Sequence, residues 1–383
     1  MTERVAFRAL PQTLLERLAA LGISEPTPVQ ERVIPEILAG RRIVFQSETG
    51  TGKTFAYLLP LLARLTEAGG EADAGGSVRI LICAPTFELA SQIKQAALSV
   101  SGRKAALFIG GAPIRRQIEA LKERPEIVVG TPARLAELLH LKKIKACGLR
   151  AAVFDEADRL VKRELMEETL SLKQALPAAV QVVACTATAD SRTKRFFCDA
   201  EVVVLPQEDV LRKSISHWAV YAEGRNKIET LRRFLLAERP QKALVFTSRA
   251  DQVENISAKL SYKNIPCGAL HAKSDKVRRK AAMDRFRSGK CGILVTSDLA
   301  ARGLDVPGVS HIIQMDLPED ADFFVHRAGR TARAGGTGVN VLIGDAYEME
   351  RYALLEKKLG ITVFPKEIRN GSIQVPLQSE RIG

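Results

Sequence analysis

At 383 residues the chain is longer than one ordinary core accommodates, which points to two domains. A hydrophobic content of 46% and a mean hydropathy of −0.02 describe a globular protein with apolar material for two cores, and no apolar run is long enough to cross a bilayer. The net charge of +13 and pI of about 9.6 direct attention to a polyanionic partner such as RNA or DNA rather than a membrane, although net charge also serves solubility alone.

In chain order, the N-terminal stretch MTERVAFRALPQ lacks a basic-then-apolar secretory segment, so export is not expected. The runs 41–46 (RRIVFQ), 79–84 (RILICA), 126–129 (EIVV), 151–155 (AAVFD) and 181–185 (QVVAC) read as buried strands. Amphipathic stretches at 54–65 and 88–100 read as helices between them, and 67–77 (EAGGEADAGGS) as a mobile surface loop. The polar segment 205–209 (LPQED) reads as a linker, after which strands resume at 242–246, 266–270, 292–296, 310–314 and 338–343. Residues beyond Pro365 show no clear period and are expected to wrap loosely. The expected organisation is therefore 1–206, 207–365 and a tail 366–383, with each α/β domain a parallel sheet covered by helices. The six cysteines form no Cys-x-x-Cys pair and several lie in apolar runs, which fits a reduced, cytoplasmic compartment and not a structural zinc site.

Two segments carry chemistry. Ser47, Glu48, Thr49, Gly50, Thr51, Gly52, Lys53 and Thr54 follow a strand and open a helix. In that context the glycines let successive N–H groups turn toward phosphate oxygens, and the helix N-terminus adds its positive end. Lys53 would bridge the β- and γ-phosphates, and Thr54 would place its hydroxyl on Mg²⁺. A glycine-rich turn without a ligand is the bland alternative, and Gly-Lys-Thr between strand and helix weighs against it. Asp155 and Glu156 stand at the carboxyl end of a strand, where open parallel sheets bind ligands. Asp155 can hold Mg²⁺ directly or through water, and Glu156 can accept the proton of an attacking water.

The spelling Asp155-Glu156-Ala157-Asp158 goes further: the chain resembles a DEAD-box RNA helicase of superfamily 2 over essentially its whole length. The resemblance implies two tandem RecA-like domains, ATP and Mg²⁺ as cofactors, and RNA, single-stranded or a short duplex, as partner. The segment around Gln30 (GISEPTPVQ) resembles the adenine-reading Q motif, with Phe7 as its outlying aromatic. Pro85-Thr86, Gly110-Gly111 and Thr131-Pro132 with Arg134 resemble segments that grip the RNA backbone, and Arg279 and Ser297 join them from the second half. Thr186-Ala187-Thr188 resembles the element that links the ATP site to strand separation. The runs 297–305 (SDLAARGLD) and 326–333 (HRAGRTAR) resemble long and specific motifs. In them Arg330 and Arg333 correspond to arginine fingers on the γ-phosphate, while Gly303 and Asp305 fall with the nucleotide ribose. Asp158, Asp298, Arg302 and His326 fall where nucleotide is coupled to RNA. The family also implies a monomer in a ribosomal or ribonucleoprotein assembly context, and an ATP site complete only when both domains contribute.

Several positions depart from the family spelling. Ile23 replaces an aromatic, Phe87 an arginine, Ala133 and Ala332 glycines, Lys276 a glutamine and Arg249 a threonine, whereas Thr186 for serine keeps the hydroxyl. None removes a phosphate ligand, the base or an arginine finger, so the departures bear on RNA grip and coupling. The leading expectation is an RNA-dependent ATPase that unwinds short duplexes or remodels RNA–protein complexes. An ATP-gated RNA clamp with weak unwinding and a superfamily 2 DNA helicase are the alternatives. Trp218 is expected to pack on the second core, and His140, His217, His271 and His311 lack ligand spacing.

Overall fold

The β-branched runs become strands of two sheets, one in each of two compact units, Met1–Gln207 and Glu208–Gly383. The computed structural model describes residues 6–47, 51–67, 78–187, 190–204, 210–271, 276–298, 306, 308–332 and 336–376. The expected linker at 205–209 and all but the first residue of the expected loop at 67–77 lie outside the described residues.

In the first unit β1 (Ile43–Gln46), β2 (Ile80–Cys83), β3 (Ala105–Phe108), β4 (Ile127–Gly130), β5 (Ala151–Asp155), β6 (Gln181–Thr186) and β7 (Glu201–Val204) pair in the order β3-β4-β2-β5-β6-β1-β7. Every one of these pairings is parallel. Alternate residues serve opposite faces: Ile80 and Ile82 enter one core, Leu81 and Cys83 the other. A sheet buried on both faces is why these strands read as continuous apolar runs. Gly130, the last residue of β4, is required by close approach, since a Cβ there would lie 2.2 Å from the carbonyl oxygen of Phe108. The helix Pro28–Leu38 starts with Pro28 in its first turn in a capping-box arrangement, in which the Gln30 side chain accepts from the Thr27 N–H.

The second unit contains β8 (Ile215–Tyr221), β9 (Ala243–Thr247), β10 (Gly268–Leu270), β11 (Ile293–Ser297), β12 (His311–Gln314), β13 (Gly338–Gly344), β14 (Val363–Arg369) and β15 (Ser372–Gln374). Their order is β10-β11-β9-β12-β13-β8-β14-β15, parallel except for the β14–β15 hairpin. Val245, Val295, Ile313 and Val341 face one core, and Leu244, Leu294 and Ile312 face another. Both units are thus α/β with helix-covered parallel sheets, as expected.

The expected loose tail is corrected over residues 366–374, and residues 377–383 lie outside the described residues. Residues 363–369 form β14, whose first four residues lie in parallel register with β8 and whose last three pair with β15, and Asn370 and Gly371, at φ 51° and 75°, turn the chain between them. Asn-Gly at two consecutive left-handed positions is the preferred tight hairpin connection, because neither residue pays the usual steric cost there. The strands β3, β7 and β8 are additions to the expected set. Trp218 on β8 packs on the second core, edge-on to Phe234 at 6.4 Å between ring centroids. No helix among the described residues is long and apolar enough to cross a membrane.

Candidate functional site

Parallel strands present all their carboxyl ends at one edge, and that edge of the first unit gathers the expected residues. Ser47 follows β1, Thr186 ends β6, Asp155 ends β5, Pro85 and Thr86 follow β2, Thr131 follows β4 and Gly110 follows β3. Given the strand order, the residues expected to meet phosphate fall on one half of the edge and those expected to meet RNA on the other.

On the phosphate half, Lys53 begins the helix Lys53–Glu67 and its Nζ donates to the Ser47 carbonyl at 2.9 Å, holding the cation at the loop. Ser47 and Thr51 hydroxyls are 2.7 Å apart, and the Ser47 N–H donates to the Thr186 carbonyl at 3.0 Å. The loop is therefore tied directly to the Thr-Ala-Thr element, where Thr186 is fully buried. Gln30, almost fully buried, accepts from the Thr27 N–H at 3.0 Å and donates Nε2 to the Gly52 carbonyl at 3.2 Å. Its amide links the capping box to the phosphate loop from beneath. Gly52 has φ +92°, and a Cβ there would lie 2.6 Å from Gln30 Nε2. Gly52→Ala therefore combines backbone strain with a collision, and nucleotide affinity is expected to fall about tenfold or more in a fluorescent-nucleotide titration. Unchanged affinity would contradict the role of this turn. Phe7 packs in the core, and the neighbouring Ala6 N–H donates to Glu31 Oε2 at 3.1 Å.

Asp155 is held from several directions. Tyr57 Oη donates to Oδ2 at 2.8 Å, while Cys185 Sγ and the Glu156 N–H each donate to Oδ1 at 2.9 Å. Burial raises the Asp155 carboxyl above its ordinary value. The Cys185 hydrogen bond, the Lys53 charge and the Tyr57 hydrogen bond oppose the shift, and the Glu156 charge adds to it. Tyr57 and Cys185 are pushed well up by burial and by the Asp155 charge, so both remain protonated donors. Neither was anticipated. The available signals were the placement of Tyr57 one helical turn after Lys53, and the register of Cys185 opposite Asp155. Glu156 adopts φ 52° and ψ 53°, and its Oε2 pairs with Arg159 Nη1 at 2.7 Å. A left-handed glutamate at the end of a sheet strand is a strained position of the kind that clusters at functional sites. Asp158 is buried and accepts from the Arg159 N–H at 3.2 Å. The donor set suits Mg²⁺: a buried carboxylate and the Thr54 hydroxyl are hard oxygen ligands, and this ion takes few protein ligands beside phosphate and water.

On the other half, Thr86 caps the helix Phe87–Ser101 by accepting from the Leu89 N–H at 3.3 Å. Phe87 in that first turn is exposed. The Gly110 N–H donates to Thr131 Oγ1 at 3.3 Å. Pro132 opens the helix Pro132–His140, on which Arg134 donates to the Ala112 carbonyl at 3.0 Å and pairs with Glu137 at 3.0 Å. Gly111 is left-handed at φ 76°. These contacts join the Gly110 and Thr131 segments, and Thr86 stands beside them at the end of β2, the strand paired with β4.

The second unit has its own polar centre. Ser297, buried, ends β11. Asp298 receives a two-pronged bond from Arg327, Nε to Oδ1 and Nη2 to Oδ2, both at 2.6 Å. Arg330 donates Nε to the His326 carbonyl at 3.3 Å. Arg279 is half-buried on the helix Lys276–Arg287. Arg327 lies within the motif read from sequence but was assigned no role there, although it is the largest fully buried side chain among the described residues. Ala332, where the family has glycine, is left-handed at φ 54°. Glu48, Thr49, Gly50, Thr188, Arg302, Gly303, Asp305 and Arg333 lie outside the described residues.

A phosphate loop, a strand-end carboxylate pair and a second parallel α/β unit define a nucleoside-triphosphatase core of the helicase kind. Comparison with known proteins gives the family. Residues 27–196 match the DEAD/DEAH box helicase model and residues 226–335 the helicase conserved C-terminal domain. The DEAD-box ATP-dependent RNA helicase CshC of Bacillus cereus is 34% identical over 361 residues, covering 92% of this chain and 90% of that protein. CshB of Bacillus subtilis is 33% identical over 368 residues, covering 94% and 82%. Among solved structures, Mss116p bound to ssRNA and AMP-PNP has a TM-score of 0.84 at 25% identity, covering 94% of this chain and 77% of that one. Dbp5 of S. cerevisiae bound to RNA and ADP BeF3 has a TM-score of 0.83 at 24% identity, covering 95% and 96%, a likeness of fold. The chain belongs to the DEAD-box ATP-dependent RNA helicase family, and its two units are tandem RecA-like domains.

Proposed function

We propose that this protein is an RNA-dependent ATPase that couples ATP hydrolysis to separating short RNA duplexes or remodelling RNA–protein complexes. The observation that carries the reading is the single sheet edge bearing Lys53, Asp155 and Glu156 on one half and the neighbouring segments at Thr86, Gly110 and Thr131 on the other. On this reading Lys53 and the loop N–H groups hold the triphosphate. Asp155 and Thr54 are the residues that would hold Mg²⁺, which when bound neutralises phosphate charge. Glu156 takes the proton of the attacking water. Arg330 and Arg333 are assigned to the developing charge on the γ-phosphate, because a guanidinium offers fixed donors to a spreading anion. Gln30 keeps the loop and the adenine side in one hydrogen-bonded unit. The domain limits 1–206 and 207–365, the cytoplasm, a monomeric state and a ribosomal or ribonucleoprotein setting belong to the same proposal.

ATP turnover is expected to rise with added RNA and not with DNA of the same sequence. Equal stimulation by both would favour a DNA helicase of the same superfamily, because discrimination requires contacts to the 2′-hydroxyl. A clamp with weak unwinding is favoured by one observation, the exposed Phe87 where the family carries arginine. Strand separation with ATP but not with a non-hydrolysable analogue would exclude it.

A further inference from the structure

Arg327 is the head of a buried chain of polar side chains that crosses the second sheet. Its Nη1 donates to Gln314 Oε1 at 3.1 Å on β12. Gln314 Nε2 donates to Asn340 Oδ1 at 2.8 Å on β13, and Asn340 Nδ2 donates to His217 Nδ1 at 3.1 Å on β8. His217 Nε2 donates to the Leu211 carbonyl at 2.7 Å, in the helix Val210–Lys213 that precedes β8. Gln314 and Asn340 are fully buried, and Arg327 and His217 are nearly so.

The direction of this chain follows from its first member. Guanidinium has donors only, so Gln314 must offer it oxygen and is left with nitrogen for Asn340. Asn340 must then receive with its oxygen and donate with its nitrogen. That leaves His217 accepting at Nδ1 and carrying its proton on Nε2, which the Leu211 carbonyl receives. One permanent cation thus sets two amide orientations and one tautomer, and each bond polarises the next in the same sense. Sheet register supports the contacts: Asn340 is directly opposite His217, and Gln314 is a diagonal neighbour of Asn340. His217 also stacks on Phe324, with centroids 5.8 Å apart, from the helix Ala321–Ala328 that carries Arg327. At the other end Arg327 grips Asp298, so the chain runs without a break from the end of β11 to Leu211.

We propose that this hydrogen-bonded chain fixes Arg327, and through it Asp298, in the arrangement from which the second unit responds to RNA, making His217 and Asn340 positioning residues for RNA-stimulated ATP turnover. The inference rests on the proposed function for its catalytic readout, and its structural part stands separately. An interior sheet filled with apolar side chains would tolerate Val or Leu at both positions. Their polar identity is explained by the unidirectional chain, because an amide or imidazole buried without partners is destabilising.

Two measurements test it. In the unmodified protein, the long-range ¹H–¹⁵N spectrum at pH 7 should show His217 as the Nε2–H tautomer, with Nδ1 as acceptor. An Nδ1–H tautomer or a charged ring refutes the chain whatever the enzyme does. His217→Leu and Asn340→Ala should leave ATPase without RNA and fluorescent-ATP affinity unchanged. Each should raise the RNA concentration for half-maximal stimulation by about fivefold or more, in the range seen when coupling networks are cut. His217→Gln can accept from Asn340 and donate to Leu211, and should restore the response. A folded His217→Leu protein with the normal RNA response, or a His217→Gln protein as impaired as His217→Leu, overturns the proposal. If the unmodified protein shows no RNA stimulation, the function reading fails while the tautomer result still decides the chain.

Discussion

Glu156→Gln is expected to reduce ATP turnover by at least about a hundredfold, the usual contribution of a positioned proton acceptor, while ATP-dependent RNA binding persists. The substitution keeps shape and one acceptor, so Arg159, which pairs with Glu156 Oε2 at 2.7 Å, retains a partner in a largely buried place. The left-handed turn at Glu156 is set by the backbone between β5 and the helix Ala157–Leu160, and an amide side chain leaves it in place. Removing the Glu156 charge also removes one of the influences that raise the Asp155 carboxyl, so Asp155 stays at least as ready to bind a cation. Binding and turnover should therefore separate. Single-turnover phosphate release measured beside RNA binding in the presence of ATP checks this, and normal phosphate release would remove Glu156 from the role. Glu156→Ala makes a useful contrast, because it also strands the Arg159 guanidinium and should lower stability as well as turnover.

Why some of this was readable from sequence and some was not follows from distance along the chain. The phosphate loop is contiguous, and Ser47, Lys53 and Thr54 declare their chemistry through spacing alone. The strands β2, β4, β5 and β6 were legible because burial on both faces demands unbroken β-branched runs. By contrast β8 carries Ser216, His217 and Trp218 amid its apolar residues, so its period is obscured. What makes His217 tolerable is Asn340, more than a hundred residues away, and only strand order brings the two together. Tyr57 and Cys185 are illegible in the sequence for the same reason, since their contacts with Asp155 depend on the registers of a helix and a neighbouring strand. Gln30 was legible as a site residue, but its place beneath Gly52 was not, because the capping box and the loop meet only in the folded unit. Beyond Pro365 the apolar period is weak. Pairing with β8 and the Asn370-Gly371 turn determine the structure there.

Arg327→Met is expected to destabilise the second unit by about 3 kcal/mol at neutral pH, the lower end of the range for removing one member of a buried ion pair. The guanidinium is 2% exposed and bonds Asp298, Asp316, Gln314 and Ser248 at once. Without it, two carboxylates remain in a mostly desolvated pocket. Arg327→Lys should be milder but not neutral, because an ammonium cannot make the two-pronged bond to Asp298. The pH dependence separates this mechanism from simple loss of packing. Burial alone would push the Asp316 carboxyl up, but the Arg327 charge and the hydrogen bonds from Ser248 and Thr247 outweigh it and hold Asp316 below the usual carboxylate range. A carboxyl depressed in the folded state stabilises fully above its unfolded value, near about 4, and that contribution fades as pH falls through the folded value. In Arg327→Met the charge is gone while the Ser248 and Thr247 hydrogen bonds remain, so Asp316 is held down less and protonation relieves the variant at a higher pH than the parent. The stability difference should therefore be largest at neutral pH and narrow as pH drops toward and below about 4. Denaturant titrations that follow the second unit, using its Trp218 fluorescence, measure this directly, since Trp218 is the only tryptophan in the chain. A difference that stays constant across that range would assign the loss to packing instead of charge, and would detach Asp298 and Asp316 from the role of Arg327.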